Sequence, residues 1–173
     1  MTPGPPDIPQ TAEEVRARNA ALDIQLRELA ARVPADALAR DPGGEEWTLA
    51  QLLAHLGEFP GFFADDLGAW LDAATIAPPV PVGRTLEHPV RLAAVAEARR
   101  ADLAVLRADI DVAFAALAAV LARLDDAHLT ATTHNRTYGA EPLTTYLDRY
   151  VLGHKAAHVT QLRSTLAAVA GDT

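Results

Sequence analysis

Two histidines, His154 and His158, stand four residues apart in the segment His154-Lys155-Ala156-Ala157-His158. Residues at that spacing lie one turn apart on a helix, so both imidazoles face the same way. The apolar positions around them, Leu143, Leu147, Tyr150, Val151, Leu162, Leu166 and Val169, recur at threes and fours, and the histidines fall inside that amphipathic stripe. A third imidazole, His55, sits on another such face, with Leu52 three residues before it and Phe59 and Phe62 four and seven after it. Three imidazoles from two helices suit a mononuclear site for a borderline divalent metal, with at least one position left open to water or a ligand. Such a metal could lower the pKa of a bound water or thiol, or polarise a carbonyl. The structural alternative is a core in which the histidines bond to one another or to water.

Other side chains are spaced to assist. Tyr150 lies one turn before His154 and Glu58 three residues after His55, close enough to act as catalytic proton carriers or to hold a ligand's second ring nitrogen. Core packing is the plainer role for Tyr150, and a solvated helix edge for Glu58. Gln161, three after His158, is placed to orient a ligand. Arg99-Arg100 and Arg149 are candidate attractors of an anionic thiol, against the simpler role of balancing nearby acids. His88, before Pro89, reads as an exposed linker residue; His128 and His134 fall in a polar connection, at the surface or at the pocket edge. Several chemistries are excluded by residue type. Lys155 stands where a zincin has its glutamate base, the Glu-x-x-His pairs of di-iron bundles are missing, and neither Gly-x-Ser-x-Gly nor a phosphate loop occurs. The chain has no cysteine, so thiolate ligands, disulfides and a cysteine nucleophile are excluded as well.

The elements that must position these groups are helical. Thr11 with Glu13 and Glu14 begins a first helix that runs to about Val33, before Pro34. Thr48-Leu49-Ala50-Gln51 is a capping box, with Trp47 as a hydrophobic staple against Leu52, and it starts the helix that carries His55. Pro60 predicts a kink or break one turn beyond that histidine. Residues 75–89, rich in proline, form a loop suited to be a lid or pocket wall. A long third helix is predicted over 90–125, stopping slightly early because Asp125-Asp126 would oppose its dipole. The last helix starts near Pro142 with Thr144 or Thr145 as its cap, and Gly171 ends it. With no strand-like alternation and no repeat, four principal helices predict an all-α four-helix bundle over 11–173, after a flexible leader at 1–10.

Half of the 173 residues are hydrophobic and alanine is abundant, which favours packed helices. The net charge of −8 and the lack of a basic cluster beyond Arg99-Arg100 argue against a nucleic-acid partner. No signal-like segment and no apolar run of about 20 residues is present, so the expectation is a cytoplasmic protein without a membrane partner that acts on a small-molecule substrate.

The stretch Trp47-Thr48-Leu49-Ala50-Gln51-Leu52-Leu53-Ala54-His55-Leu56, followed by His154-x-x-x-His158-x-x-Gln161, resembles the DinB/YfiT-like superfamily of metalloenzymes. The resemblance extends over nearly the whole chain. It implies a four-helix bundle, a homodimer, and zinc, nickel or iron held by three histidines, which here map onto His55, His154 and His158. It also implies low-molecular-weight-thiol chemistry, since thiol-dependent isomerases and transferases are among the relatives. The mycothiol-dependent isomerase uses a carboxylate as one ligand where this chain has histidine, which argues against carrying over that isomerisation. Two functions stay open: a metal-dependent thiol transferase or hydrolase, or a non-catalytic metal-binding or dimerisation bundle.

Overall fold

Side-chain caps set where the helices begin. In the computed structural model, which describes residues 8–44, 46–73, 80–98 and 101–170, Thr11 Oγ1 accepts from the Glu14 amide at 3.1 Å and opens α1 (Ala12–Ala31). Thr48 Oγ1 accepts from the Gln51 amide at 3.3 Å while Gln51 Oε1 accepts from the Thr48 amide at 3.0 Å, the capping box expected for α2 (Leu49–Asp72). Pro60 does not break α2; the helix runs through it. The hydrogen bond lost at the proline is outweighed by the buried face of Leu52, Leu56, Phe59, Phe63 and Leu67, which holds both halves in one core.

The single long helix expected over 90–125 is two. After β1 (Pro81–Val82), α3 spans Pro89–Glu97 and α4 spans Leu103–Leu121. Asp102 Oδ1 accepts from the Ala104 amide at 2.7 Å, so a residue that reads as the polar side of a continuing helix instead caps a new one. Asp125 likewise caps rather than ends a helix: its Oδ1 accepts from the His128 amide at 3.1 Å and starts α5 (Asp126–Leu129).

The expectation of a chain without strands also fails. β2 (Thr132–Asn135) and β3 (Gly139–Pro142) form an antiparallel hairpin, and β1 joins β2 in parallel, giving sheet order β1-β2-β3 with His134 opposite both Ala140 and Pro81. The turn is closed by Asn135 Oδ1, which accepts from the Thr137 and Tyr138 amides at 2.8 and 3.2 Å. Strands of two and four residues are too short for alternation to register in the sequence.

The last helical run begins with α6 (Leu143–Leu147), directly after Pro142, so Thr144 and Thr145 lie inside it instead of capping it. A π-helical turn at Asp148–Leu152 leads into α7 (Gly153–Ala170). The Gly153 amide donates to the Asp148 carbonyl, and a Cβ at Gly153 would stand 2.5 Å from that oxygen, so glycine is what the wider turn accommodates. The core lies mainly between α2 and α4, with α1 packed on α7 and α4. The fold is mostly helical, and no described helix is long and apolar enough to cross a membrane. The first seven residues of the expected leader, residues 75–79 at the start of the proline-rich loop, Arg99-Arg100 and Gly171 lie outside the described residues.

Candidate metal centre

The capping box that starts α2 fixes the phase in which His55 turns inward, and the glycine-containing turn before α7 does the same for His154 and His158. The three side chains meet: one nitrogen from each lies within 4.8 Å of the others. His55 Nε2 and His154 Nε2 are 3.2 Å apart. The Phe59 ring covers the cluster, 4.5 Å from the His154 ring and 5.2 Å from the His55 ring. Trp47, expected as a staple on Leu52, stands edge-on to His55 at 5.3 Å and so flanks the site.

The outer nitrogens of His158 and His55 face acceptors. His158 Nδ1 is 3.0 Å from Gln161 Oε1. His55 Nδ1 is buried without a hydrogen-bond partner and faces Glu58 Oε2 across 3.5 Å. That arrangement suits a metal-ligating histidine, which turns one nitrogen to the ion and the other to an oxygen.

Electrostatics keep the cluster neutral. Burial, then the neighbouring His158 and His55, lowers the pKa of His154 to about 3. Burial and His55 lower that of His158 to about 4, and burial also lowers His55, against the pull of Glu58. Neutral imidazoles keep a lone pair to give, so the donor set fits a borderline divalent metal. Burial by itself would raise the Glu58 carboxyl, but the Arg84 guanidinium, with help from His55, holds it down at about 2. Arg84 grips both Glu58 oxygens, one of them at 2.7 Å, and lies over the Phe62 ring at 4.3 Å.

A cavity of about 410 Å³ opens onto His55 and His154, with Arg84, Arg91, Arg149 and Tyr150 in its walls. A larger groove of about 670 Å³ between α2, α3 and α4 contains none of the three histidines. The chemistry therefore favours the smaller space. Tyr150 is buried, and its hydroxyl is 3.3 Å from Asn135 Nδ2. His128 serves in the cap of α5, His134 is exposed on β2, and neither lines this cavity. His88 is not the exposed linker residue expected; it is half-buried, its ring 4.9 Å from Phe62.

Sequence reasoning missed Arg84 and Arg91. Arg84 follows Gly83, whose φ of +84° needs glycine and whose amide donates to Asp66 Oδ2 at 2.7 Å. Helical periodicity carries no trace of a residue aimed from such a loop. Arg91, near the start of α3, reads in the sequence as an ordinary surface charge.

A mostly helical fold with a cluster of three neutral imidazoles, two buried and one half-buried, beside an arginine-lined cavity defines the class. The chain belongs to the DinB superfamily, whose sequence profile matches residues 24–162. No curated protein matches it. Among solved structures it is similar to a mycothiol-dependent maleylpyruvate isomerase, with a TM-score of 0.66 at 16% identity over 90% of this chain; the chain spans 61% of the isomerase's length. It is similar as well to a protein from Streptococcus pneumoniae, with a TM-score of 0.66 at 11% identity and 93% of each chain covered. A third neighbour, the colibactin self-resistance protein ClbS, was crystallised in complex with dsDNA; its TM-score is 0.63 at 14% identity, covering 92% of this chain and 98% of ClbS. At these identities the likeness is one of fold.

The ClbS complex corrects one expectation. The argument from a net charge of −8 against any nucleic-acid partner does not hold, because a protein of this fold is found with dsDNA. Net charge averages over a whole surface, whereas a phosphate backbone needs only a local basic footprint.

Proposed function

We propose that this chain is a metal-dependent enzyme in which His55, His154 and His158 hold one divalent ion, zinc, nickel or iron, and that it works as a thiol-dependent transferase or a hydrolase. The observation that carries this reading is the meeting of three neutral imidazoles within 4.8 Å, with outer nitrogens turned to Glu58 and Gln161. When bound, the ion would lower the pKa of a low-molecular-weight thiol or of water. The protein's own groups would do the rest. Glu58, kept ionised by Arg84, orients His55; Gln161 orients His158; Phe59 limits water on the covered side; and Tyr150 is the candidate to hold or pass a proton at its hydroxyl. In this reading α1, α2, α4 and α7 are a four-helix bundle in one domain over 11–173, preceded by a leader at 1–10.

Elemental analysis of protein purified without a metal-affinity tag tests the site. About one ion per chain is expected, lost in His55→Ala, His154→Ala or His158→Ala. Variants that retain stoichiometric metal would show the assignment to be wrong. The dsDNA complex of ClbS favours a second reading, a non-catalytic binding protein. Protein whose melting is unmoved by zinc, nickel or chelator, and which retards a duplex oligonucleotide, would support that one.

A further inference from the structure

In a chain with a net charge of −8, the cavity over the imidazoles gathers three arginines. Two are already neutralised. Arg84 is clamped on Glu58, and Arg149 Nη1 donates to the two Glu141 oxygens at 2.8 and 2.6 Å. Arg91 is different. Its Nη1 donates to the Leu86 carbonyl at 2.8 Å and its guanidinium lies over the Trp47 ring at 5.0 Å, so it is held in place from two sides. Among the described residues no carboxylate pairs with it, and its Nε and Nη2 make no hydrogen bond. The same Trp47 ring stands edge-on to His55. The Arg91 charge also disfavours protonation of all three imidazoles, so it is within electrostatic reach of the cluster.

A half-buried guanidinium with an unused edge, facing a cavity of about 410 Å³, matches a carboxylate in shape and charge. Thr137 and Tyr138 line the same cavity and bring further hydroxyl donors. We infer that Arg91 anchors a carboxylate of the ligand this cavity takes, so that the site prefers carboxylate-bearing thiols over uncharged ones. The thiol part rests on the function proposed above; the anchor itself does not.

Titration calorimetry separates the two. Mercaptosuccinate and thioglycerol are titrated into metal-loaded wild type, Arg91→Gln and Arg91→Lys, with metal content as the check on folding. Wild type is expected to bind mercaptosuccinate about tenfold more tightly than thioglycerol, the size of one charge-assisted contact. Arg91→Gln should erase the preference by weakening mercaptosuccinate alone, and Arg91→Lys should restore part of it. Succinate, which has no thiol, is titrated into the protein as purified. Arg91-dependent succinate binding supports the anchor even where the metal assignment fails. Equal affinity of wild type for the two thiols, or an unchanged preference in Arg91→Gln, overturns it. A duplex oligonucleotide that displaces succinate and itself depends on Arg91 would make the anion a backbone phosphate and overturn the carboxylate assignment.

Discussion

Helix α7 carries buried polar groups on two sides, and they are built in opposite ways. Toward α1, the fully buried Lys155 donates to Asn19 Oδ1 at 2.7 Å and to Asp23 Oδ1, and its ammonium lies 4.4 Å from the Phe114 ring. Asn19 Nδ2 in turn donates to Asp23 Oδ2 at 3.0 Å. Burial raises the Asp23 carboxyl and lowers the Lys155 ammonium, each opposed by its partner. This cluster is closed in charge, each group answered inside the fold, although Asn19, Asp23 and Phe114 also line a cavity of about 390 Å³. Toward α2, His55 Nε2 and His154 Nε2 stand 3.2 Å apart and both rings border a cavity of about 410 Å³. The closed cluster ties α7 to α1; the open one brings three imidazole nitrogens together beside a cavity.

Breaking the closed side should cost most. Lys155→Met strands the Asp23 carboxylate, and a loss of about 3–5 kcal/mol is expected in urea unfolding. Adding Asp23→Leu should recover most of it, because two apolar groups of similar volume need no partner. If Lys155→Met costs no more than His154→Ala in metal-free protein, the two sides do not differ in kind.

Acid should weaken the open side by degrees. Below about pH 6.5 the unfolded chain binds protons that the folded His158 refuses until about pH 4 and the folded His154 until about pH 3. Unfolding then takes up protons, so stability falls as pH drops through this window. Melting temperatures of metal-free protein between pH 7 and 4.5 should decline, and more shallowly in His154→Gln/His158→Gln. A wild-type curve flat across that range would contradict neutral, buried imidazoles.

The smallest effect is expected from Gln161→Leu, which removes the oxygen at His158 Nδ1 and leaves all three imidazoles in place. Metal affinity should fall about tenfold with stoichiometry preserved. Glu58→Gln is a poorer probe, since it also unpairs Arg84.

The legible parts of the fold were those written in short-range patterns. The caps at Thr11 and Thr48, the buried face of α2 and the shared face of His154 and His158 all follow from residues within one or two turns. The break at Asp102 was hidden because a capping aspartate and an exposed helical aspartate look alike in sequence. The sheet was hidden because its strands are shorter than the alternation that reveals one. Lys155 was legible only as the absence of a glutamate base; its partners Asn19 and Asp23 lie 136 and 132 positions away.

The sequence by itself therefore determined which histidines share a helix face, where α1 and α2 begin, and the family to which the chain belongs, because periodicity and caps are local. Only the tertiary structure decided that His55 and His154, 99 positions apart, bring their nitrogens to 3.2 Å. It also decided that Glu58 is held by an arginine from a glycine-led loop, and that Arg91, beside the cavity, meets no carboxylate among the described residues. Those outcomes depend on which distant surfaces pack together, and burial then sets the charge of every group they enclose.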